Sequence, residues 1–173
     1  GGINGAGIAR DAALRGLKVA LIEKNDFASG ASSKTTKLIH GGIRYLEQFN
    51  FKLVFESCRE RCLLLNLAPH LVKPLAFIIP VYKDSPRGML KVNIGTALYD
   101  LLSGQRCIKH RQMLTAKEIL SREPSLTQEG LKGGVLYYDA QMDDARLCLE
   151  NILSAEKNGA VAFNYVEAVG FIE

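Results

Sequence analysis

The chain has 173 residues, of which 47% are hydrophobic and 23% charged, a composition typical of a globular protein rather than a disordered one. Its net charge of +4 is too small to predict a nucleic-acid partner, and it suits a phosphate-bearing ligand or a weakly anionic surface. No apolar run approaches the roughly 18 residues that a membrane-spanning helix requires. The four cysteines show no metal-ligand spacing.

The chain opens on a glycine-rich turn that leads into a helix. The stretch GGINGAGIARDAALRG predicts a helix that packs through its small alanines and ends at Gly16. KVALIE then predicts a buried strand that ends on Glu23. Together they form the second half of a dinucleotide-binding βαβ unit, with Gly1, Gly2 and Gly5 in a partial G-x-G-x-x-G fingerprint. The first fingerprint glycine and its strand are missing, and the last residues predict a strand that stops in mid-run. We therefore expect a fragment truncated at both ends.

Helices and strands follow along the rest of the chain. The strongest helix prediction spans Phe51–Leu67 and ends near Pro69. The inner face of this helix is predicted to carry Val54, Phe55, Cys58, Cys62 and Leu65. A strand bounded by prolines, at residues 74–82, is expected at a sheet edge. Further helices are predicted at 87–104, 115–124 and 143–159, and further strands at 133–141 and from 160 onwards.

The helix behind the glycine turn predicts an anion site. Its first backbone amides have no partner within the helix, so they are free to bind phosphate oxygens. Glycine is needed where a pyrophosphate approaches the backbone, and Glu23 is placed to accept hydrogen bonds from ribose hydroxyls. The alternative for Glu23 is a solvated carboxylate at the end of a strand.

A polar loop, NDFASGASSKTTKLIHGG, follows the strand at once, whereas a nicotinamide enzyme would continue with alternating helices and strands. Such a loop suits a long extended cofactor, with Ser32, Ser33 and Lys37 near its phosphates or ribityl hydroxyls. His40 and the paired glycines 41 and 42 would then reach a redox ring, because glycine lets the backbone approach a flat ring closely. The alternatives are a buried histidine with satisfied hydrogen bonds and lysines that serve solubility.

Acidic residues cluster in DAQMDDAR, at 139–146. We interpret Asp143 as the N-cap of the next helix, Asp144 as a complement to its dipole, and Arg146 as an ion-pair partner nearby. The cluster is therefore predicted to be structural rather than a metal site.

Three blocks of the sequence resemble one family. GGINGAGIARDAALRG is similar to the N-terminal signature of the FAD-dependent glycerol-3-phosphate dehydrogenases, SSKTTKLIHGGIRYLE to their second block and YYDAQMDDARL to a third. The resemblance implies an α/β fold in which a doubly wound, Rossmann-like FAD-binding domain carries an inserted α+β substrate cap domain. Residues 1–45 and 141–173 would belong to the FAD-binding domain, and residues 46–140 to the cap.

The resemblance also implies the residues that hold the ligands. Arg44 and Tyr45 would bind substrate, and Arg44 and His40 would serve catalysis. The expected FAD contacts are Gly1, Gly2, Asn4, Gly5, Glu23, Lys24, Ser32, Ser33, Lys37, Leu38, His40, Gly41, Gly42 and Val166.

The implied reaction is oxidation of sn-glycerol 3-phosphate to dihydroxyacetone phosphate by hydride transfer to FAD, with a membrane quinone as the electron acceptor. An oxidase that uses oxygen, another FAD-dependent amine or amino-acid oxidase of the same fold, and a non-catalytic flavin-binding module remain open. We expect a cytoplasmic location with peripheral contact on the inner-membrane face, which would be mitochondrial in a eukaryote.

Overall fold

The computed structural model describes residues 1–104 and 108–172. These residues form two compact units, one made of Gly1–Lys37 with Met142–Glu173 and the other of Leu38–Gln141. The sequence analysis placed the corresponding boundaries after residues 45 and 140. The chain therefore crosses between units earlier than expected on its way out, and close to the expected point on its return.

The regular elements account for most of the described chain. The helices are α1 (Ile3–Leu14), α2 (Phe51–Leu67), α3 (Met89–Ser103), α4 (Ala116–Arg122) and α5 (Asp144–Lys157). The strands are β1 (Ala20–Glu23), β2 (Leu38–Ile39), β3 (Val72–Tyr82), β4 (Gln112–Leu114), β5 (Leu131–Met142) and β6 (Val161–Asn164). Two short 3₁₀ helices occupy Ala31–Ser33 and Ile43–Gln48.

The first unit is a two-stranded parallel sheet packed against two helices. β1 and β6 pair in parallel, with Leu21 opposite Ala162. These two side chains pack with residues of α1 and α5 in one buried cluster. The next pair along the strands, Ile22 and Phe163, is exposed. The described helices thus cover one face of this sheet. The strand predicted to be buried at KVALIE is instead half-buried at alternate residues and exposed at the others.

Small residues allow α1 to pack closely, as the sequence predicts. Ala6, Ala9 and Ala13 are its buried residues, and Ala9 and Ala13 share a cluster with Ala155 of α5. The helix ends as expected at Gly16, whose φ of +80° is the left-handed conformation that glycine favours. The Leu17 and Gly16 amides donate back to the carbonyls of Ala12 and Ala13, at 3.1 and 2.9 Å.

The second unit combines an antiparallel sheet with helices α2, α3 and α4. Its strands run in the order β2, β5, β3, and β4 also pairs with β5. β2 and β4 are antiparallel to β5. β3 lies at the edge of the order, as its two prolines predicted. No described helix is both long and apolar enough to cross a membrane.

Most long elements lie where the sequence predicts them, and three details differ. Phe55 is 52% exposed, whereas Arg61, on the same turn of α2 as expected core residues, is fully buried. β6 ends at Asn164, because Tyr165 turns into the left-handed region at φ +57°. β2 and β4 were not predicted, because two or three residues are too few to show the alternation of a strand.

Candidate functional site

The N-terminus of α1 is built around two glycines that leave no room for side chains. A Cβ on Gly1 would lie 2.6 Å from the Cβ of Glu23, and one on Gly2 would lie 2.9 Å from the Oγ of Ser32. Ser32 itself accepts a hydrogen bond from the Ile3 amide at 2.9 Å. A distant loop thus caps one amide of the first turn, and the glycines allow Glu23, Phe27 and Ser32 to pack closely against the start of the helix.

The end of β1 lies beside this turn. The Glu23 carboxylate accepts a hydrogen bond from the Asn25 amide at 2.9 Å. The Val166 amide donates to the Glu23 carbonyl at 2.9 Å, and the exposed Lys24 lies 3.9 Å from Glu167. The turn, the helix start and an acidic strand end are therefore assembled in one unit. This is the cradle that a dinucleotide pyrophosphate and ribose require, so these residues fit the adenine-dinucleotide part of FAD.

Gly5 fills a less crowded place than its fellow glycines. A Cβ there would lie 3.5 Å from a Leu21 methyl, an ordinary van der Waals contact. The packing of α1 on β1 therefore leaves room for a Cβ at Gly5, and the sterically tight positions are Gly1 and Gly2. Asn4, in the same first turn, is exposed.

Asp144 organises the segment that follows Ser33. Its buried carboxylate accepts hydrogen bonds from the Thr35 hydroxyl at 2.8 Å, the Thr35 amide at 3.3 Å and the Lys37 ammonium at 3.0 Å. The bonds from Thr35 and then Lys37 hold the pKa of Asp144 well below its usual range, and the pKa of Lys37 is raised by its bond to Asp144. The sequence analysis assigned Asp144 to the helix dipole and Lys37 to the cofactor or to solubility, and it did not predict their ion pair. Asp143 caps α5 as predicted, through the Arg146 amide, and Arg146 pairs with Glu150.

The next residues, Leu38 to Gly42, lie in the second unit. Leu38 and Ile39 form β2, and His40 is exposed. A Cβ on Gly41 would lie 2.2 Å from Cys58 Sγ and 2.4 Å from the Tyr99 hydroxyl, and Gly42 has a φ of +72°. Packing against α2 and α3 and a left-handed turn therefore account for both glycines, where the sequence analysis invoked only the approach of a flat ring.

A buried polar cluster, which the sequence analysis missed, holds Gly41. The Gly41 amide donates to the Tyr99 hydroxyl at 2.8 Å and to Asp139 Oδ1 at 3.2 Å. Tyr99 donates to the same oxygen at 2.6 Å, and Arg61 pairs with Asp139. Arg61 lies on the same face of α2 as the buried residues Val54 and Cys58. A charged residue on such a face indicates that a partner of opposite charge is buried beside it.

Arg44 and Tyr45 belong to the 3₁₀ helix Ile43–Gln48, and both are exposed. Arg44 lines a groove of about 700 Å³ whose walls are mainly apolar side chains of this 3₁₀ helix and of α3, among them Ile43, Leu46, Leu90, Val92, Ile94 and Leu98. Glu47, three residues after Arg44 in the same 3₁₀ helix, is bonded to Arg87 at 2.7 Å and to Lys91 at 3.2 Å. Arg87, and then Lys91, lower the pKa of Glu47 to about 2. Within residues 1–104 and 108–172, Arg44 thus has no ion-pair partner.

No group of three or more His, Cys, Asp or Glu side chains is placed to hold a metal ion in the part of the chain that the structure describes.

The family model described as FAD dependent oxidoreductase matches residues 1–173. A glycerol-3-phosphate dehydrogenase from Synechocystis sp. is 53% identical over 98% of this chain, and an aerobic glycerol-3-phosphate dehydrogenase from Staphylococcus haemolyticus is 44% identical over 99% of it. The chain spans 31% of the length of each of these relatives.

Solved structures show the same likeness. The glycerol-3-phosphate dehydrogenase from Bacillus halodurans, complexed with FAD, has a TM-score of 0.69 and 37% identity, over 99% of this chain and 26% of that one. A glycine oxidase from Geobacillus kaustophilus has a TM-score of 0.66 at 24% identity, over 95% of this chain and 45% of that one, and shows the fold alone.

Proposed function

Because the chain belongs to the family of FAD-dependent oxidoreductases, we propose that it serves in the oxidation of sn-glycerol 3-phosphate to dihydroxyacetone phosphate. When bound, FAD supplies the acceptor for the hydride from C2 of the substrate. The observation that carries the choice of substrate is Arg44, an exposed cation on a groove with no ion-pair partner among the described residues. The relatives at 44% and 53% identity support the same choice by their names.

The first unit holds the dinucleotide part of FAD in this proposal. The α1 amides behind Gly1 and Gly2, with Asn4 and Gly5, would bind the pyrophosphate, and Glu23 with Lys24 would bind the adenosine ribose. The tight glycine cradle and the Ser32 cap on Ile3 support this placement. The remaining proposed FAD contacts are Ser32, Ser33, Lys37, Leu38, His40, Gly41, Gly42 and Val166. We propose further that the first unit is part of the FAD-binding domain and that the second is part of the inserted cap.

Arg44 would grip the substrate phosphate or its reacting oxygen through charge-assisted hydrogen bonds, with Tyr45 beside it. His40 would lie near the redox ring, with its imidazole placed to hold or move a proton. The side chains of Arg44 and His40 are exposed in the structure, which leaves their polar atoms available to a ligand.

A quinone is the proposed electron acceptor. The apolar walls of the groove suit its hydrocarbon tail. Leu90, Ile94 and Leu101 are between 59% and 72% exposed on α3, whose other face is buried, and Arg87 and Lys91 lie nearby. This arrangement supports peripheral contact with an anionic membrane at its cytoplasmic face.

Ile94→Asn should slow quinone reduction and weaken sedimentation with anionic vesicles, while leaving flavin reduction unchanged. If oxygen accepts electrons as fast as a short-chain quinone, the oxidase alternative holds.

The substrate proposal is tested on the intact protein. Its flavin absorbance should bleach anaerobically when glycerol 3-phosphate is added, and should stay oxidised with glycine or proline. Bleaching by an amino acid but not by glycerol 3-phosphate would assign the chain to the amine and amino-acid oxidases. Bleaching by neither would favour a non-catalytic flavin-binding module.

The role of Arg44 is tested by Arg44→Ala. Loss of a charged substrate bond should cost roughly 1.5–3 kcal/mol in transition-state binding, which is about a ten- to a hundred-fold drop in kcat/KM. Arg44→Lys should recover part of it, and flavin content should be unchanged. Arg59→Ala removes an exposed arginine from α2 and is the matched control. Wild-type kinetics in Arg44→Ala would exclude Arg44 from the substrate site.

A further inference from the structure

The buried cluster of Arg61, Tyr99 and Asp139 converges on a single backbone amide. Asp139 Oδ1 accepts from Arg61, from the Tyr99 hydroxyl and from the Gly41 amide. The Tyr99 oxygen accepts in turn from the Gly41 amide at 2.8 Å and from Arg61 at 3.0 Å. Three side chains from α2, α3 and β5 thus determine where this one amide lies.

The stability of the fold does not explain this cluster. All three residues are at most 2% exposed, so the charges of Arg61 and Asp139 are almost fully removed from water. Desolvation offsets most of the attraction in such a buried pair. Arg61 Nε and Nη2 also lack a hydrogen-bond partner among the described residues, which adds a further cost in folding free energy. Apolar side chains of similar volume would stabilise the unit at least as well.

What the cluster does provide is a defined position for Gly41. The Gly41 amide is shared between two acceptors, and its Cα lies too close to Cys58 and Tyr99 to carry a Cβ. The next residue, Gly42, turns the chain into the left-handed region and starts the 3₁₀ helix that bears Arg44 and Tyr45. Burial raises the pKa of Tyr99 well above its usual range, so its hydroxyl stays protonated and continues to donate to Asp139.

We propose that Arg61, Tyr99 and Asp139 are positioning residues of the flavin reaction, which act through Gly41 to hold His40 and Arg44 in place. This inference rests on the proposed function, because it takes the segment His40 to Arg44 to contact the redox ring and the substrate. None of the three side chains needs to touch either ligand.

Tyr99→Phe in the intact protein is the sharpest test. It removes the hydroxyl that links Gly41, Arg61 and Asp139, and keeps the ring that packs at 5.9 Å against Tyr137. Tyr137→Phe is the matched control, because it removes a half-buried phenol hydroxyl from the same ring pair, and that hydroxyl has no hydrogen bond among the described residues. Asp139→Asn and Arg61→Met should repeat the Tyr99→Phe result if they fold.

Two readouts separate positioning from a purely structural role. Amide hydrogen exchange in the peptide that contains Gly41 should speed up in Tyr99→Phe and not in Tyr137→Phe. The rate of flavin reduction by glycerol 3-phosphate should fall between about ten- and a hundred-fold, with full FAD content, because displacement of catalytic groups from their reactive geometry slows the reaction by about that much. A lower melting temperature with unchanged exchange at Gly41, or with an unchanged reduction rate, would overturn the proposal.

Failure of the function can be told apart from failure of this inference. If wild-type flavin is not reduced by glycerol 3-phosphate, the substrate proposal fails, and the cluster is then judged by Gly41 exchange and by the visible circular dichroism of the oxidised flavin. If wild-type flavin is reduced and Tyr99→Phe behaves like Tyr137→Phe in every readout, only the positioning role is lost.

Discussion

At the scale of single residues, Asp144 shows how one carboxylate can tie a loop to a helix. It lies in the first turn of α5, and it bonds Thr35 and Lys37, more than a hundred positions earlier in the chain. It also bonds the amide of Ala145 at 2.9 Å. The polar loop that follows β1 is therefore held at its far end by a buried anion.

The pH dependence of stability should report this anion. Because the folded pKa of Asp144 lies below its unfolded value of about 3.9, its contribution to stability is present above that pH and is lost as the pH falls below it. Asp144→Asn should lower the melting temperature at pH 7, and the gap to wild type should narrow below about pH 4. Asp143→Asn is the control, since asparagine caps a helix as well as aspartate. If the difference in melting temperature between wild type and Asp144→Asn does not change with pH, the charge of Asp144 is not the source of the stabilisation.

At the scale of elements, one glycine inside α1 and one just beyond its C-terminus should respond to the same change with opposite sign. Gly16 has a φ of +80° at the C-terminus of the helix, and a Cβ there is strained. Gly7 lies inside the helix, and a Cβ on it would meet no other atom within 4 Å.

Gly16→Ala should therefore cost about 1 kcal/mol, because a side chain disfavours the left-handed region. Gly7→Ala should stabilise α1 by up to about 1 kcal/mol, because alanine has the higher helix propensity. Thermal unfolding of the intact protein measures both. Two shifts of the same sign would mean that α1 does not limit the stability of its unit.

Elements long enough to show a period were predictable from the sequence. α2 spans the predicted Phe51–Leu67, and α4 lies within the predicted helix at 115–124, where a capping box of Thr115 and Glu118 starts it. β2 and the 3₁₀ helices were not predictable, because two to six residues carry no periodic signal. The partnership of β1 with β6 was also hidden, since no local pattern pairs strands so far apart in the chain.

The candidate site was predictable to a different degree. The glycine turn and Glu23 could be recognised because their chemistry is local in the sequence. The Arg61 cluster could not, because burial of a charge depends on partners from three separate elements. Asp139 stood in an acidic stretch that the sequence analysis interpreted as a helix start. That interpretation is correct for Asp143 and Asp144, whereas Asp139 lies in β5.

At the scale of the whole molecule, the chain leaves the first unit after Lys37 and re-enters it at Met142. The Met142 amide donates to the Lys37 carbonyl at 2.8 Å, so the outgoing and returning segments are bonded to each other at this point. The second unit is therefore a continuous stretch of chain whose two ends are joined.

The pairing of β1 with β6 determines the order in which the protein can be completed on the ribosome. Ala20 can pair with Val161 only after Val161 has been synthesised, which is 161 − 20 = 141 residues later. At about 5–20 residues per second this delay is roughly 7–28 s. During that time the second unit emerges in full, whereas the apolar edge of β1 has no β6 to pair with. The edge of β1 that pairs with β6 thus stays unpaired until β6 emerges, and this exposure time is determined by the length of the unit inserted between the two strands.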